Sequence, residues 1–225
     1  AAQPAIQSWH LASLHKVATG RGVSIGIIDS RIDTTHPDLV GQIAGSTDFV
    51  AGHPQAERHG TGVAGIIAAK PNNTLGIAGV APGARVVGLR ACWERPLGGL
   101  TVCDSLSLAK AMNFALEHNI DVINLSLSGP RDLLLTKLIG LATARGVSVI
   151  AAVDGKHPEA SFPALLPGVI AVGDERLSAR QGPVYIAPGL DVPTTEPEGK
   201  WSLVSGSSFA AAHVSGLTAL LRQVS

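Results

Sequence analysis

The sequence predicts an α/β fold: a doubly wound, mostly parallel central sheet with helices on both faces. Three observations predict it. Short apolar, β-branched runs alternate with longer segments of helical character, which implies crossover connections between parallel strands. The runs are apolar enough to be buried on both faces. Glycine is abundant at 26 residues and aromatics are only 4%, so tight turns and close helix–sheet contacts are expected.

The elements follow in order. GVSIGIID (22–29) is a buried strand, and GTGVAGIIAA (60–69) a helix of small residues. ARVVGLRA (84–91) is a strand. DSLSLAKAMNFALEHN (104–119) is a helix with Asp104 as its N-cap. DVINLSL (121–127) is a strand, and RDLLLTKLIGLATARG (131–146) a helix closed by Gly146. VSVIAAV (147–153) and GVIAVG (168–173) are strands, and SSFAAAHVSGLTALLRQ (207–223) is a long final helix. No repeat, low-complexity tract or linker interrupts the pattern, and 225 residues suit one α/β domain spanning 1–225.

Composition excludes several function classes. The chain is 45% hydrophobic, with 17 basic and 17 acidic residues. That balance argues against nucleic-acid or membrane-surface binding, which needs a basic face. No apolar run approaches the roughly 18 residues of a membrane helix. The opening AAQPAIQSW carries no signal-peptide pattern and reads as a processed or trimmed end. The two cysteines, Cys92 and Cys103, flank a Pro-Leu-Gly-Gly turn that could bring them together. They lack the partners of a zinc site. A loop disulfide in an exported enzyme and two free thiols in a cytosolic one both fit.

Three blocks carry chemistry: GIIDSRIDTTHPDL around Asp29, HGTGVAG around His59 and SGSSFAAAHVSG around Ser208. They supply a carboxylate, an imidazole and a hydroxyl, the groups of an activated serine nucleophile. Asp29 ends its strand, His59 precedes its helix, and Ser208 sits in the first turn of its helix, where amide N–H groups favour developing negative charge. Each residue alone has an ordinary explanation: a helix cap, a surface histidine, a loop serine. A nucleotide-binding domain fits poorly, because no G-x-G-x-x-G turn follows the first strand.

From about residue 23 to 221 the chain resembles the subtilisin-like serine proteases, the subtilases, whose triad runs Asp, His, Ser. The resemblance implies a serine endopeptidase in which Ser208 attacks the scissile carbonyl, His59 moves the proton and Asp29 orients the imidazole. INLSLSGP is similar to the substrate-binding strand, so Ser126, Leu127, Ser128 and Gly129 would pair with an extended peptide. SFP resembles the pocket floor, with Ser161 near its base and a cis Phe162–Pro163 bond. PNNTLGIAGVAPGA resembles a calcium loop. Asp38 and Asn73 would give side-chain oxygens, and Pro71, Leu75 and Ile77 backbone carbonyls, to a Ca²⁺ ion; no organic cofactor is implied. The resemblance further implies a secreted or periplasmic monomer acting on peptides or proteins, with Cys92 bridged to Cys103.

Departures from the family pattern matter as much. The oxyanion-hole asparagine is replaced by Asp154, in AAVDGKHP. An ionised carboxylate repels an oxyanion; a protonated one, enclosed by substrate, would donate to it. Otherwise the Ser208 N–H and the Ser207 hydroxyl carry that work. A pseudoprotease or peptide-binding module is the competing class. Arg31 replaces a usual glycine and would set a cation beside Asp29 if it pointed inward. Gly62 replaces a usual histidine, and Phe209 a methionine, removing a site of sulfoxide formation. The segment from Asp154 to Gly168 is short, which implies a broad, shallow pocket.

Overall fold

In the computed structural model, which describes residues 3, 7–52, 55–95, 100–177 and 182–225, the strands are β1 (Ser24–Asp29), β2 (Ile43–Asp48), β3 (Arg85–Arg90), β4 (Cys92–Glu94), β5 (Thr101–Cys103), β6 (Val122–Leu125), β7 (Ser148–Ala152), β8 (Val169–Gly173), β9 (Val184–Ile186), β10 (Val192–Glu196) and β11 (Lys200–Val204). The helices are α1 (Leu11–Leu14), α2 (Arg58–Ala68), α3 (Ser105–Glu117), α4 (Leu133–Ala144) and α5 (Ser207–Val224). Seven strands form one sheet in the order β2-β3-β1-β6-β7-β8-β9. Every pairing within it is parallel.

Successive side chains of a strand point to opposite faces, and the core divides accordingly. Ile25 and Ile27 of β1 face a cluster containing Val63, Ile66 and Ile67 of α2 and Ala210, Ala211 and Leu220 of α5. Ile28 faces the other cluster, with Leu108 and Met112 of α3 and Leu135 and Ile139 of α4. Both β1 and β6 are buried at every position. Asp104 caps α3 by accepting from the Ser107 N–H, and Asp132 caps α4 by accepting from the Leu135 N–H.

The expected elements are present with ends shifted by at most two residues. One shift changes the site: α2 begins at Arg58, so His59 lies inside its first turn rather than before it. Elements without a sequence signal are α1, the edge strands β2 and β9, and the antiparallel hairpins β4–β5 and β10–β11. β2 reads IAGSTD, with little apolar character, and alternates between partly buried and exposed. The Pro-Leu-Gly-Gly segment at 96–99 lies outside the described residues. Among the described residues no helix is long and apolar enough to cross a membrane.

His213 in α5 is 3% exposed, packs edge-on against Trp9 and donates from Nδ1 to the Phe209 carbonyl. Burial pushes its pKa down to about 4, against opposing contributions from the carbonyls of Phe209 and Pro188. A histidine held neutral in the fold stabilises it fully above the ordinary value near 6.5 and loses that contribution as pH falls toward 4. The loss is on the order of 3 kcal/mol. Urea unfolding at pH 7 and pH 4.5 should show the stability gap between wild type and His213→Gln closing as pH falls. A constant gap contradicts this.

Candidate active site

The carboxyl ends of β1, β6 and β7 converge on one cleft of about 660 Å³, where parallel α/β sheets place their ligands. Asp29 terminates β1, is 2% exposed, and accepts from the Ser30 N–H at 2.6 Å. His59 Nδ1 lies 2.8 and 3.0 Å from its two carboxylate oxygens. The carboxylate accepts, so Nδ1 carries the proton and Nε2 is left as the free acceptor. The approach of α2 to the end of β1 requires Gly60: a Cβ there would stand 2.2 Å from the Ser30 carbonyl oxygen. Its N–H donates to Ser30 Oγ instead.

Burial disfavours the charged form of His59. The charge of Asp29, the hydrogen bond to it and the charge of Glu94 outweigh that, and the imidazole pKa is raised above its ordinary value. The sign is set by the two carboxylates, not by solvent exclusion.

Ser208 lies in the first turn of α5, and its Oγ donates to the Ser126 carbonyl at 3.0 Å. The same two residues are joined in reverse, Ser126 Oγ donating to the Ser208 carbonyl at 2.8 Å. Behind them, Asn124 Nδ2 donates to Ser126 Oγ, and Ser215 Oγ donates to Asn124 Oδ1. This buried polar chain fastens α5 to β6 at the cleft. Asn124, 0% exposed, was missed from sequence, although an asparagine in a fully buried strand must have partners.

Ser126, Leu127, Ser128, Gly129, Asp154, Ser207 and Ser208 all line the cleft beside Asp29 and His59. Gly129 forms an antiparallel bridge to Phe162, and Phe162–Pro163 is cis. Ser161 departs from expectation. It is 1% exposed and lies behind the wall rather than at the cleft surface. Its Oγ accepts from the Asp154 N–H and donates to the His157 carbonyl, pinning the short wall to itself. Asp154 Oδ1 accepts from the amides of Lys156 and His157 at 2.8 and 3.3 Å.

Comparison with known proteins decides the family. The profile of the subtilase family matches residues 20–225. Subtilisin BL of Lederbergia lenta is 35% identical over an alignment covering 94% of this chain and 80% of that protein. The chain belongs to the subtilase family, and it is a subtilisin-like serine endopeptidase. The major intracellular serine protease of Bacillus subtilis strain 168 is 35% identical, covering 92% of this chain and 70% of that one. M-protease of Shouchella clausii is also 35% identical, but this chain spans only 57% of its length. The solved structure of the prenylagaramide maturation protease PagA superposes with a TM-score of 0.79 at 28% identity, covering 98% of this chain and 81% of that one.

The structure places the residues that depart from the expected family pattern. Arg31 does not reach toward Asp29; its guanidinium pairs with Asp48 on β2. Gly62 faces Thr194 and the Phe209 ring. A Cβ at position 62 would stand 3.4 Å from the Phe209 ring and 3.1 Å from Thr194 Cγ2. The ring also lies 5.5 Å from the His59 imidazole. Cys92 and Cys103 are joined by a disulfide across the β4–β5 hairpin.

The calcium loop does not fit an ion. Asp38, 0% exposed, accepts from Asn73 Nδ2 at 2.6 Å, the Ile77 N–H at 3.0 Å and Trp201 Nε1 at 2.7 Å. Asn73 Oδ1 is turned to the Leu75 N–H. The carboxylate is thus surrounded by N–H donors where a Ca²⁺ site would need oxygens. Pro71, Leu75 and Ile77 follow the loop, but Gly76 brings its backbone so close that a Cβ would lie 2.0 Å from Trp201 Nε1. Among the described residues no group of three or more His, Cys, Asp or Glu is arranged to hold a metal. Sequence reasoning saw the loop but not Trp201, which arrives from β11. A chelator should leave the melting temperature unchanged. Trp201→Phe, which strips a donor from a buried carboxylate, should destabilise by about 1–3 kcal/mol. Stabilisation of the wild type by added Ca²⁺ would contradict this.

Proposed function

We propose that the chain cleaves peptide bonds through Asp29, His59 and Ser208 by way of an acyl-enzyme. The observation that carries this reading is the Asp29–His59 hydrogen-bonded pair, opening onto the same cleft as Ser208. Rotation of the Ser208 side chain from the Ser126 carbonyl toward His59 Nε2 readies the nucleophile, a contact that commonly tightens only with substrate present. Ser208 Oγ then attacks the carbonyl carbon as Nε2 takes its proton. The tetrahedral adduct collapses, the amine leaves with that proton, and water attacks the Ser208 ester by the reverse sequence. The Ser208 N–H and the Ser207 hydroxyl stabilise the oxyanion, and Asp154 joins them only when protonated. An extended substrate adds as a strand beside Ser126, Leu127, Ser128 and Gly129.

Residues 1–225 act in this reading as one monomeric peptidase domain. The disulfide favours an oxidising, exported setting. One relative is described as intracellular, so compartment does not follow from family alone. An activated ester substrate tests the mechanism. It should give a burst of about one product equivalent per chain, the mark of acyl-enzyme accumulation. Binding without any burst would instead support the second reading, a peptide-binding pseudoprotease, for which Asp154 is the specific observation.

A further inference from the structure

We propose that Glu94 is a positioning residue for His59: its carboxylate anchors the first turn of the histidine's helix and sets a second negative charge beside the imidazole. This rests on reading His59 as the general base.

The geometry is direct. Glu94 ends β4, the strand tied to β5 by the Cys92–Cys103 disulfide. Its Oε1 accepts from the His59 backbone N–H at 2.7 Å. The residue at the N-cap of α2, Glu57, makes no capping bond to the helix with its own side chain. Glu94 supplies from another element an acceptor that helices usually obtain from their own cap. Glu57 is committed elsewhere: Oε1 accepts from the Glu94 N–H at 2.8 Å, and Oε2 from the Arg31 N–H at 2.7 Å and Arg90 Nε at 3.3 Å. Arg90, 2% exposed, is held in turn by Asp48 and the Gly52 carbonyl. The hairpin, α2 and the end of β3 are therefore locked together through one row of charges, with Glu57 and Arg90 buried at its centre, ending at His59.

The charges facing His59 are few. Asp29 lies on the β1 side and Glu94 on the hairpin side, where both it and His59 line a small pocket with Arg58, Thr195, Glu196 and Phe209. Arg58 pairs with Glu196 at 2.9 Å, so those two largely offset each other. Glu94 is left as the second carboxylate acting on the imidazole. Burial and the nearby charge of Glu57 push its own pKa up, opposed by the His59 N–H, the imidazole and Arg58. When ionised, it adds to the charge of Asp29 in raising the His59 pKa. Removing its charge takes away one of the influences that raise His59.

The test reads His59 itself, by following its ring C–H signals in NMR across pH 4 to 9. Glu94→Gln keeps an oxygen acceptor for the His59 N–H and removes the charge. The His59 midpoint should move to lower pH, and the acid limb of kcat/KM should move with it. A merely structural defect would lower the amplitude of the rate profile without moving its midpoint. Glu94→Asp keeps the charge but shortens the reach, so the midpoint should stay closer to wild type while exchange of the His59 amide accelerates. An unshifted His59 midpoint in Glu94→Gln, or in Glu94→Ala should the first variant not fold, overturns the proposal. Because the titration does not depend on turnover, a chain that cleaves nothing would count against the protease reading and leave this test standing.

Discussion

Asp154→Asn is expected to raise kcat/KM at neutral pH by about 10²- to 10³-fold. The estimate inverts the loss of roughly 2.7–4 kcal/mol measured when a subtilisin is deprived of one oxyanion-hole donor. The structure makes the exchange conservative. Oδ1 of Asp154 accepts from the amides of Lys156 and His157, and an asparagine Oδ1 accepts them equally well. Its Nδ2 then replaces Oδ2 on a residue that lines the cleft. An amide donor supports the oxyanion at every pH, whereas a carboxyl does so only when protonated. The advantage of the variant should therefore shrink as pH falls. Escape toward low pH is limited for the wild type, because the raised pKa of His59 withdraws the base sooner than an ordinary imidazole would. The measurement is kcat/KM against pH for both proteins on one peptide. Equal or lower activity in the variant would mean that Asp154 does not face the oxyanion.

Ser208→Ala is expected to abolish hydrolysis, with kcat falling by up to about a million-fold, the scale seen when a subtilisin loses its nucleophile. The fold should survive. Ser208 Oγ makes one hydrogen bond, to the Ser126 carbonyl, while the backbone link from Ser126 Oγ to the Ser208 carbonyl is untouched by the change. Circular dichroism and melting temperature would check this. Wild-type turnover in a folded Ser208→Ala protein would remove Ser208 from the mechanism.

What was legible in the sequence was local. The buried strands announce themselves because a parallel sheet covered on both faces demands apolar runs, and the cap at Asp104 is a short-range contact. The three candidate catalytic residues drew notice because each sits at or near an element boundary among small residues that permit close approach, as Gly60 does against Ser30. What stayed hidden was long-range. Glu94 meets His59 only because the β4–β5 hairpin folds over α2, and no pattern near residue 94 encodes that. Trp201 reaches Asp38 from 163 residues away and turns an expected ion site into a hydrogen-bonded hub. Arg31 was expected beside Asp29, but Asp48 sits on a strand too polar to be recognised, and it claims the guanidinium. Ser161 is buried and bonded to the Asp154 N–H and the His157 carbonyl, a depth that chain order alone does not reveal.

The most direct measurement of the central claim is covalent labelling by a serine-reactive phosphonate, followed by mass spectrometry of the digested protein. The account predicts one adduct per chain, on Ser208, formed faster at neutral pH than below the titration of His59. It also predicts none in Ser208→Ala and strongly slowed labelling in His59→Ala. A properly folded wild-type chain that takes no label at any pH from acid to neutral, or takes it on another residue, would contradict the account.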